Sequence, residues 1–580
     1  MSYNRKTCTE ENLRKRIIEE REKNFQSIDI RSINKLSVED LVKIKRKLFF
    51  YTKKEKFSDR LEVLLKGSEF LFEKLDTDAH YEILSNLTEL VVDLNSYLAE
   101  WVLVDEIGIE GIESAVRKVL NLISTFERTD QQVSSHVHRD LWKETFLRLK
   151  AEGLSDVEEA EKYTNQLTGN TLVEFAENLS NNIKENNIRN ICRDRKNNKT
   201  TTQIGNDYAT FLDHVIRLGG SFATTNPVLI KIAWDTDISG WNQKVDEIIL
   251  GEYSVSQIEE ILHNDESALY SSVERINSRI TMAVVEESCR KLRDIFLLTD
   301  GREGYVSLQI NPRNHNNYIK MVEEVNEIYS DLEEKLNGVP NVVFKLPATS
   351  AGAVAAEKIT SKGIGVTITV NFSVFQILGF GEILNKGKAL VNFIALMNGR
   401  LAFPIRDELC SSGVSGGTDA ARWAGVEIAR KAFNGLYASF EEGGLGIDPD
   451  RVKLLIASLR IYDNWIPDIT ELWGIPMITL FPNVRRAFNT NYYDFKSNTI
   501  GNPTPAEDLS ILLKSEIFRQ AWWLPGEDVL LKPAKPLSLQ KEDSTNLMNW
   551  TPITETMDQF INIYEEMGKR VMQRMEHLLG

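Results

Sequence analysis

The chain has 580 residues, of which 42% are hydrophobic and 27% are charged. This composition is typical of a globular protein and excludes a mainly disordered or collagen-like chain. The 69 Lys and Arg residues against 85 Asp and Glu residues give a formal charge of −16, which argues against general nucleic-acid binding because phosphate contacts need a basic surface. A small basic pocket for one phosphorylated metabolite is compatible with this charge. The length predicts about two to four domains.

Cysteine spacing and the distribution of apolar residues indicate a cytoplasmic protein. The cysteines are far apart in the sequence and form no CxxC pair, which argues against a disulfide framework or a zinc knuckle. They are Cys8, Cys192, Cys289 and Cys410. The N-terminal segment is charged throughout, unlike a signal peptide, and the sequence has no run of about 18 apolar residues that would predict a membrane span.

Residues 1 to about 198 are predicted to form an all-helical domain. Apolar residues recur three and four positions apart in stretches such as 61–75 and 81–101, which is the helical period. Ser37, followed three residues later by Asp40, predicts an acidic capping box at the start of one helix. His136 and His138 would face different ways on a helix, so we expect no metal site from them. The sequence assigns no role to this domain.

The polar stretch 192–202, CRDRKNNKTTT, is predicted to be a solvated linker between two domains, 1–198 and 199–580. Apolar residues are scarce in it, and the residue pattern changes on its C-terminal side. Its Arg and Lys residues could bind an anion, but a run of charges is more often simply solvated.

Beyond residue 200, short β-rich apolar runs alternate with longer amphipathic stretches. The runs that predict strands are Gly220–Thr225, Tyr305–Ile310, Val342–Leu346, Val366–Val370, Leu390–Met397, Val452–Ala457 and Met477–Phe481, with one more expected near 200–205. Strands that alternate with helices indicate parallel pairing through right-handed crossovers, and eight such units suit a closed (β/α)8 TIM barrel. An open doubly wound sheet is the alternative, but no GxGxxG motif follows a strand.

One predicted strand carries a lysine in its middle. Lys345 lies between Phe344 and Leu346 in the run 341–352, NVVFKLPATSAG. Burial disfavours the charged form of an amine and lowers its pKa, and a neutral lysine can attack a carbonyl and form a Schiff base. The simpler alternative is a lysine that points outward from the strand or is paired with a carboxylate.

Two further strands end in a polar residue close to a proline. The run 220–230, GSFATTNPVLI, places Asn226 before the proline, and the run 305–312, YVSLQINP, carries Gln309 near its end. Proline terminates a strand, so both amides are expected at C-terminal strand ends, where the chemistry of (β/α)8 barrels lies. An amide there offers both donors and an acceptor to a ligand.

These motifs, with others in the same order, resemble those of the transaldolase family of class I aldolases. The chain has TTNP at 224–227, YVSLQINP at 305–312, KLPAT at 345–349, GVTITVNFS at 365–373, Gly399-Arg400, and ASLR at 457–460. The resemblance covers residues from about 200 to 580 and is closest to the longer family members. It implies a (β/α)8 barrel, transfer of a dihydroxyacetone unit between sugar phosphates, and no metal or organic cofactor.

By match to the family motifs, the resemblance implies a role for each of several residues. The catalytic positions are Lys345, Asp207, Gln309 and Thr369, and the substrate-binding positions are Asn226, Thr367, Arg400, Ser458 and Arg460. Lys345 would form the Schiff base, whose iminium can take up the electrons of a breaking carbon–carbon bond. Thr369 would hold a catalytic water. The two arginines and the serine would hold a phosphate, which forked guanidinium groups bind well.

The chain departs from the family at several of these positions. Transaldolases usually have a glutamate where this chain has Gln309, whereas the fructose-6-phosphate aldolase branch also has glutamine. Met397 stands where transaldolases have phenylalanine and that branch has tyrosine. Thr367 stands where the family often has asparagine, and Ala395 replaces a serine of many transaldolases. The substrates of this protein are therefore expected to differ in part from those of typical transaldolases.

The aspartate of the first strand can be aligned with either Asn206 or Asp207. A slip of one residue turns a side chain to the other face of a sheet, so only one of the two can point into the barrel. We favour Asp207, because acid/base work needs an ionisable group.

Three interpretations of function follow. The first is a transaldolase of the pentose phosphate pathway, with sugar phosphates as its partners. The second is an aldolase of the same barrel that uses free dihydroxyacetone, which Gln309 supports. The third is a catalytically divergent homologue with a binding or regulatory role. Self-association as a homo-oligomer is left open.

Overall fold

A computed structural model of the chain describes residues 9–25, 33–49, 54–263, 266–491, 493, 498–538 and 547–580. These residues form two compact units. One contains the described residues up to Ile17 together with 199–212 and 221–580, and the other contains 18–198 and 213–220. The division is therefore not a single cut between residues 198 and 199, since the beginning of the chain joins the unit that holds residues 221–580.

The unit of residues 18–198 is helical, as the sequence predicts. Its helices are α2 (Val38–Leu48), α3 (Lys54–Lys74), α4 (Thr77–Leu94), α5 (Tyr97–Val102), α6 (Val104–Thr129), α7 (Gln131–Ala151), α8 (Val157–Thr168), α9 (Leu172–Lys184) and α10 (Asn187–Lys196), and helix α1 (Glu10–Phe25) precedes them. The predicted capping box is confirmed, because Ser37 accepts from the backbone N–H of Asp40 and Asp40 accepts from that of Ser37.

The predicted linker 192–202 is wrong in its first half. Helix α10 continues to Lys196, and Cys192 on it is buried. The carboxylate of Glu100 explains why this basic segment folds: Arg193 Nε donates to Glu100 Oε1 at 2.8 Å, and Arg189 Nη2 donates to Glu100 Oε2 at 2.8 Å. Two cations on one carboxylate are hydrogen-bonded within the unit instead of being solvated.

The other unit contains a closed barrel of eight parallel strands, so the predicted fold class is confirmed. The strands are β1 (Gln203–Asn206), β2 (Phe222–Thr224), β3 (Tyr305–Gln309), β4 (Val342–Pro347), β5 (Gly365–Asn371), β6 (Asn392–Met397), β7 (Val452–Ala457) and β8 (Met477–Leu480). Each strand pairs with the next in sequence, and β8 pairs with β1. All the predicted strands are present, with bounds shifted by a few residues at most.

Alternate residues of each strand fill the barrel interior, as a closed sheet requires. The rings of Phe222 on β2 and Phe393 on β6 have centroids 4.4 Å apart, although these strands are not neighbours in the sheet. Their contact therefore lies inside the barrel. The same buried cluster contains Tyr305, Val343 and Leu455, one from each of three other strands. Counting by twos from these residues identifies the other inward-facing positions.

Helices follow the strands around the barrel. They are α11 (Leu212–Leu218), α12 (Pro227–Thr236), α13 (Ile238–Glu252), α14 (Val255–His263), α15 (Glu266–Leu298), α16 (Tyr318–Leu336), α17 (Ser350–Thr360), α18 (Val374–Lys386), α19 (Asn398–Ser411), α20 (Gly417–Ala421), α21 (Ala424–Tyr437), α22 (Pro467–Thr470), α23 (Pro482–Thr490), α24 (Ala506–Leu512), α25 (Glu516–Trp522) and α26 (Thr551–His577). Between β2 and β3, the described residues form four helices where a barrel usually has one, and α26 packs against all four of them, α12, α13, α14 and α15.

Within the described ranges, no helix is long and apolar enough to cross a bilayer. Cys192, Cys289 and Cys410 form no disulfide among the described residues; the first two are buried and the third is exposed. Cys8 lies outside the described residues.

The first turns of α1 close the N-terminal end of the barrel. Leu13 and Ile17 are almost fully buried and belong to the same apolar cluster as Phe222 and Tyr305. Arg14 Nη1 also donates to the backbone oxygen of Asp300 at 3.1 Å. The sequence placed residues 10–17 in the helical domain, because their helical period does not indicate which core they join.

Replacing Ile17 with Ala is expected to destabilise the barrel. Ile17 is 0% exposed, so truncation leaves a cavity and should lower the free energy of unfolding by about 2–4 kcal/mol. Ile18, 37% exposed, is the matched control, and Ile18→Ala should cost under about 1 kcal/mol. Urea unfolding of the full chain measures both values. Equal effects of the two substitutions would contradict the packing of α1 against the barrel.

Candidate active site

A cleft of about 270 Å³, counting its open mouth, lies at the C-terminal end of the strands. Its lining residues are Gln309, Ile310, Asn311, Pro312, His315, Met321, Lys345, Pro347, Thr369, Val370 and Met557. Three of the positions chosen from the sequence, Lys345, Gln309 and Thr369, therefore lie on one cleft. This is the end of a (β/α)8 barrel at which active sites form.

Lys345 points into the barrel from the middle of β4. It lies two residues beyond the inward-facing Val343, and it is 7% exposed. Its Nζ donates to the backbone oxygen of Thr225 at 3.3 Å. Burial lowers the pKa of the amine, and the negative charge of Asp207 opposes this shift only in part. The alternative of an outward or fully paired lysine is therefore contradicted by the geometry.

Asp207, rather than Asn206, faces the amine. Asp207 follows the inward-facing Gly205 by two positions, and its carboxylate accepts a short hydrogen bond from Thr224 Oγ1 on the neighbouring strand. Asn206 is turned away: its Oδ1 accepts from Arg485 Nη1 on α23 at 2.6 Å, and its Nδ2 donates to Tyr208 O at 2.5 Å. The register of β1 thus turns Asp207, and not Asn206, toward the barrel interior, and a catalytic role for Asp207 stays a prediction.

Gln309 and Thr369 lie on either side of the lysine strand. Gln309 pairs in register with Lys345 across β3 and β4, and its Oε1 is buried without a hydrogen-bond partner among the described residues. Thr369 is 5% exposed, and its Oγ1 lies 3.9 Å from the sulfur of Met397. A buried amide oxygen with no partner is costly unless a ligand or water supplies a donor. The pair is thus suited to hold a small polar molecule beside the amine.

Thr367 and Asn226 are less open to a ligand than the other positions. Thr367 is 0% exposed and accepts from Ser307 Oγ at 2.9 Å across the interior. Asn226 caps α12, where its Oδ1 accepts from the N–H of Leu229 at 2.9 Å. The cap fixes the amide of Asn226 at the end of β2 and uses one lone pair of its oxygen, which leaves its NH2 group as the main contribution to a ligand.

The two arginines meet where β6 and β7 end. Arg400 lies in the first turn of α19, and Arg460 follows β7 by three residues. A Cβ on Gly399 would lie 2.4 Å from Ser458 O and 2.5 Å from Arg460 Cγ, so only glycine permits this approach. Burial, with the charge of Arg460, lowers the pKa of Arg400 to about 10. Two like charges held together form a site for an anion.

The C-terminal helix α26 forms one wall of the site. Gln559 Oε1 accepts from Arg400 Nη1 at 2.6 Å, and the Arg400 guanidinium carbon lies 5.6 Å from the ring centroid of Phe560. Met557, one turn earlier, lines the cleft that contains Lys345. The contact of Gln559 with Arg400 was missed by the sequence, because an exposed glutamine carries no sequence signal.

Two strand ends hold strained backbone. Val370 has φ +55° and Ser458 has φ +60°, a region that branched and bulky residues rarely adopt. The amide of Gln376 supports the first of these: its Nε2 donates to Val370 O at 3.2 Å and to Ala348 O at 3.0 Å. Strain that surrounding contacts maintain is characteristic of functional sites.

Glu324 on α16 supports the loop after β3 and was missed by the sequence. Its carboxylate accepts from the N–H of Asn311 at 2.9 Å and from Nδ2 of Asn314 at 3.4 Å. Burial raises the pKa of Glu324 to about 7 despite these hydrogen bonds, and the nearby Glu274 adds to the shift. Asn311 lines the cleft, so Glu324 holds part of its wall. A glutamate on an amphipathic helix gives no sequence indication of this burial.

Taken together, the side chains suit the chemistry of a carbonyl compound that carries an anion. A buried amine of lowered pKa can act as a nucleophile, a carboxylate near it can move protons, and two guanidinium groups can hold a phosphate. Within the described ranges, no group of three or more His, Cys, Asp or Glu side chains is arranged to hold a metal ion.

The sequence profile of the transaldolase/fructose-6-phosphate aldolase family matches residues 209–517, more than half of the chain. The chain belongs to this family. The matched range lies almost wholly within the unit that contains the barrel. The resemblance inferred from the motifs is thereby confirmed.

Individual relatives match over shorter ranges. Transaldolase 2 of Streptomyces avermitilis is 25% identical over 255 residues, which are 41% of this chain and 67% of that protein. The transaldolase of Thiobacillus denitrificans is 26% identical over 29% of this chain and 49% of its own length. That of Neisseria meningitidis serogroup C / serotype 2a is 29% identical over 35% and 60%. The chain thus spans about half to two thirds of the length of these curated relatives.

Glu324→Gln should change how stability depends on pH. The pKa of Glu324 is about 7 in the folded protein and 4.5 for an ordinary glutamate, as in the unfolded chain, so the native protein holds the proton more tightly. The stability that this group contributes is therefore greatest below pH 4.5 and is lost as the pH rises to 7. The glutamine keeps an acceptor for Asn311 but does not titrate. Between pH 5 and pH 8 the variant should gain about 1–2 kcal/mol relative to the wild type.

The measurement is the free energy of urea unfolding at several pH values, with the exposed neighbour exchanged in Glu323→Gln as the control. The same pH dependence in Glu324→Gln as in the wild type would contradict this account of Glu324.

Proposed function

We propose that the barrel is a transaldolase, which transfers a dihydroxyacetone unit from a ketose phosphate to an aldose phosphate through a Schiff base on Lys345. The observation that carries the proposal is the burial of this amine inside the barrel, with the carboxylate of Asp207 acting on it. Family membership supports the reaction class. The setting that suits such an exchange of sugar phosphates is the pentose phosphate pathway in the cytoplasm.

The residues fit each step of this reaction. The neutral Nζ of Lys345 donates its electron pair to the ketose carbonyl carbon, and loss of water from the adduct leaves an iminium. The carbon–carbon bond beyond the adjacent carbon then breaks, and its electrons move into the iminium. The hydroxyl proton of the leaving aldehyde passes to Asp207, whose carboxylate is oriented by Thr224. Addition of the resulting enamine to a second aldehyde reverses these steps.

A water is needed to form and to hydrolyse the iminium. Gln309 and Thr369 border the same cleft as Lys345, and the unpartnered Oε1 of Gln309 can accept from a water there. Glutamine cannot take a proton as glutamate can, so it can orient this water but not activate it as a base. Arg400 and Arg460 would hold the phosphate and thereby fix the carbonyl against the amine.

Borohydride trapping tests the Schiff base. With fructose 6-phosphate, reduction should leave a covalent adduct on Lys345 that mass spectrometry locates, and Lys345→Met should abolish it. Lys453 provides a matched control, because it is also a buried strand lysine (2% exposed) but its Nζ lies 3.3 Å from the Asp450 carboxylate. Lys453→Met should still form the adduct. An adduct on another residue, or none at all, would refute the proposed mechanism.

Gln309 favours a second candidate, an aldolase that releases free dihydroxyacetone. The two are separated by incubating the enzyme with fructose 6-phosphate, with and without erythrose 4-phosphate, and following glyceraldehyde 3-phosphate. Release that requires the acceptor indicates a transaldolase, and release without it indicates the aldolase. No release and no adduct would indicate a divergent homologue with a binding or regulatory role.

Gln309→Glu should shift this balance toward transfer. A carboxylate beside the cleft can activate a water as glutamine cannot, and we expect the ratio of acceptor-dependent to acceptor-independent release to rise by about threefold or more. The matched control is Gln243→Glu, which makes the same chemical change at an exposed position. Gln376→Glu is unsuitable, because the amide of Gln376 donates to the backbone oxygen of Ala348. An unchanged ratio would remove Gln309 from the choice between the two reactions.

A further inference from the structure

A buried carboxylate outside the candidate residues links the two segments that carry the arginines. Asp468, on the short helix α22, is 3% exposed. Its Oδ1 accepts from Nδ2 of Asn398 at 3.1 Å, and its Oδ2 accepts from the backbone N–H of Arg460 at 3.1 Å. Asn398 begins α19, two residues before Arg400. One carboxylate thus ties the start of α19 to the loop after β7.

The two segments have little freedom apart from this link. Gly399 brings α19 against the carbonyl of Ser458, as described above, and Ser458 itself has φ +60°. A Cβ added to Gly425 would lie 2.9 Å from the Cα of Asn398, so α21 closely encloses the start of α19 as well. A small shift of Asn398 or of the Arg460 backbone would therefore change the separation of the two guanidinium groups.

The carboxylate of Asp468 also places a negative charge near the two arginines. The positive charge of Arg460 acts on Arg400 and disfavours its charged form, so the pair is under repulsion before any anion binds. Arg460 Nη1 donates to the backbone oxygens of Ser458 and Leu459 at 3.0 and 3.1 Å, which fixes its guanidinium but supplies no negative charge. Burial raises the pKa of Asp468 to about 6, and the hydrogen bonds that it accepts and the positive charge of Arg460 oppose this shift.

We propose that Asp468 is the positioning residue of the arginine pair: it holds Arg400 and Arg460 at the separation that binds a single phosphate group. This inference rests on the proposed function for the identity of the ligand, a sugar phosphate. Asp468 is not a catalytic residue, because it contacts the arginine-bearing backbone and not the cleft. Its loss should weaken binding of the phosphate and leave the chemistry at Lys345 intact.

The test measures the binding of inorganic phosphate to the full chain by titration calorimetry. Asp468→Asn should raise the Kd for phosphate by about tenfold, because an amide can accept only one of the two hydrogen bonds and its NH2 faces another donor. Asp463→Asn is the matched control: it makes the same chemical change five residues earlier, at an exposed carboxylate with φ +54°, which asparagine also tolerates. Its Kd should stay within about twofold of the wild type.

A donor–acceptor exchange separates positioning from general damage. Asn398→Asp alone sets two carboxylates face to face and should weaken phosphate binding as well. The double variant Asn398→Asp with Asp468→Asn restores one donor and one acceptor between the two side chains and leaves an acceptor for the Arg460 N–H. We expect it to recover phosphate binding to within about threefold of the wild type.

Borohydride trapping of unphosphorylated dihydroxyacetone on Lys345 is the second readout, and it should differ less than about twofold between Asp468→Asn and the wild type. The inference is overturned if the wild type binds no phosphate, if Asp468→Asn binds it normally, or if phosphate binding and trapping fall in parallel. Phosphate binding can also respond as expected while neither the wild type nor any variant traps dihydroxyacetone. In that case the proposed function fails and the role of Asp468 stands.

Discussion

The candidate site depends on one amine that is buried inside a closed sheet, where burial lowers its pKa and favours the uncharged form. Lys345 takes this position because β4 is inward-facing at 343 and 345, and a shift of one residue would place the amine among the surrounding helices. The sheet can tolerate it there because the amine gives up its charge more readily as it is desolvated. The same burial that would destabilise a charged lysine therefore makes a nucleophile. Stability and reactivity have one physical cause at this residue.

The two ends of the barrel are built differently around that amine. Below it, the interior is apolar and aromatic, and Leu13 and Ile17 of α1 complete this layer. Near it, several inward positions are polar: Ser307 donates to Thr367, which pairs in register with Lys345, and Thr224 donates to Asp207. The cleft at the C-terminal end of the strands borders Lys345 and is the side from which a substrate carbonyl can approach the amine.

Most of the barrel strands and several candidate site residues could be predicted from the sequence. The features that could not be predicted depend on contacts between residues far apart in the chain. The strands were found because β-rich runs bounded by proline and glycine are local signals, and Lys345 was found because it interrupts one of them. The choice of Asp207 over Asn206 rested on chemistry alone, since the register that places it follows from pairing with β2 and β8. Asp468 could not be found, because its partner Asn398 is 70 positions away. From the sequence alone, Asp468 resembles any surface aspartate, because nothing near it in the chain indicates its burial or its bond to Asn398.

The balance of charges also bears on why glutamine is tolerated at 309. Arg400 and Arg460 are the positively charged groups that a phosphate dianion can bind, while the carboxylates of Asp207 and Asp468 bring negative charge to the same end of the barrel. A glutamate in register with Lys345 would add a negative charge beside the amine, favour its charged form and so reduce the fraction that can attack a carbonyl. Glutamine gives up a base but leaves more of the nucleophile in its reactive state. Its presence is therefore compatible with an active Schiff-base enzyme and is not by itself a mark of lost function.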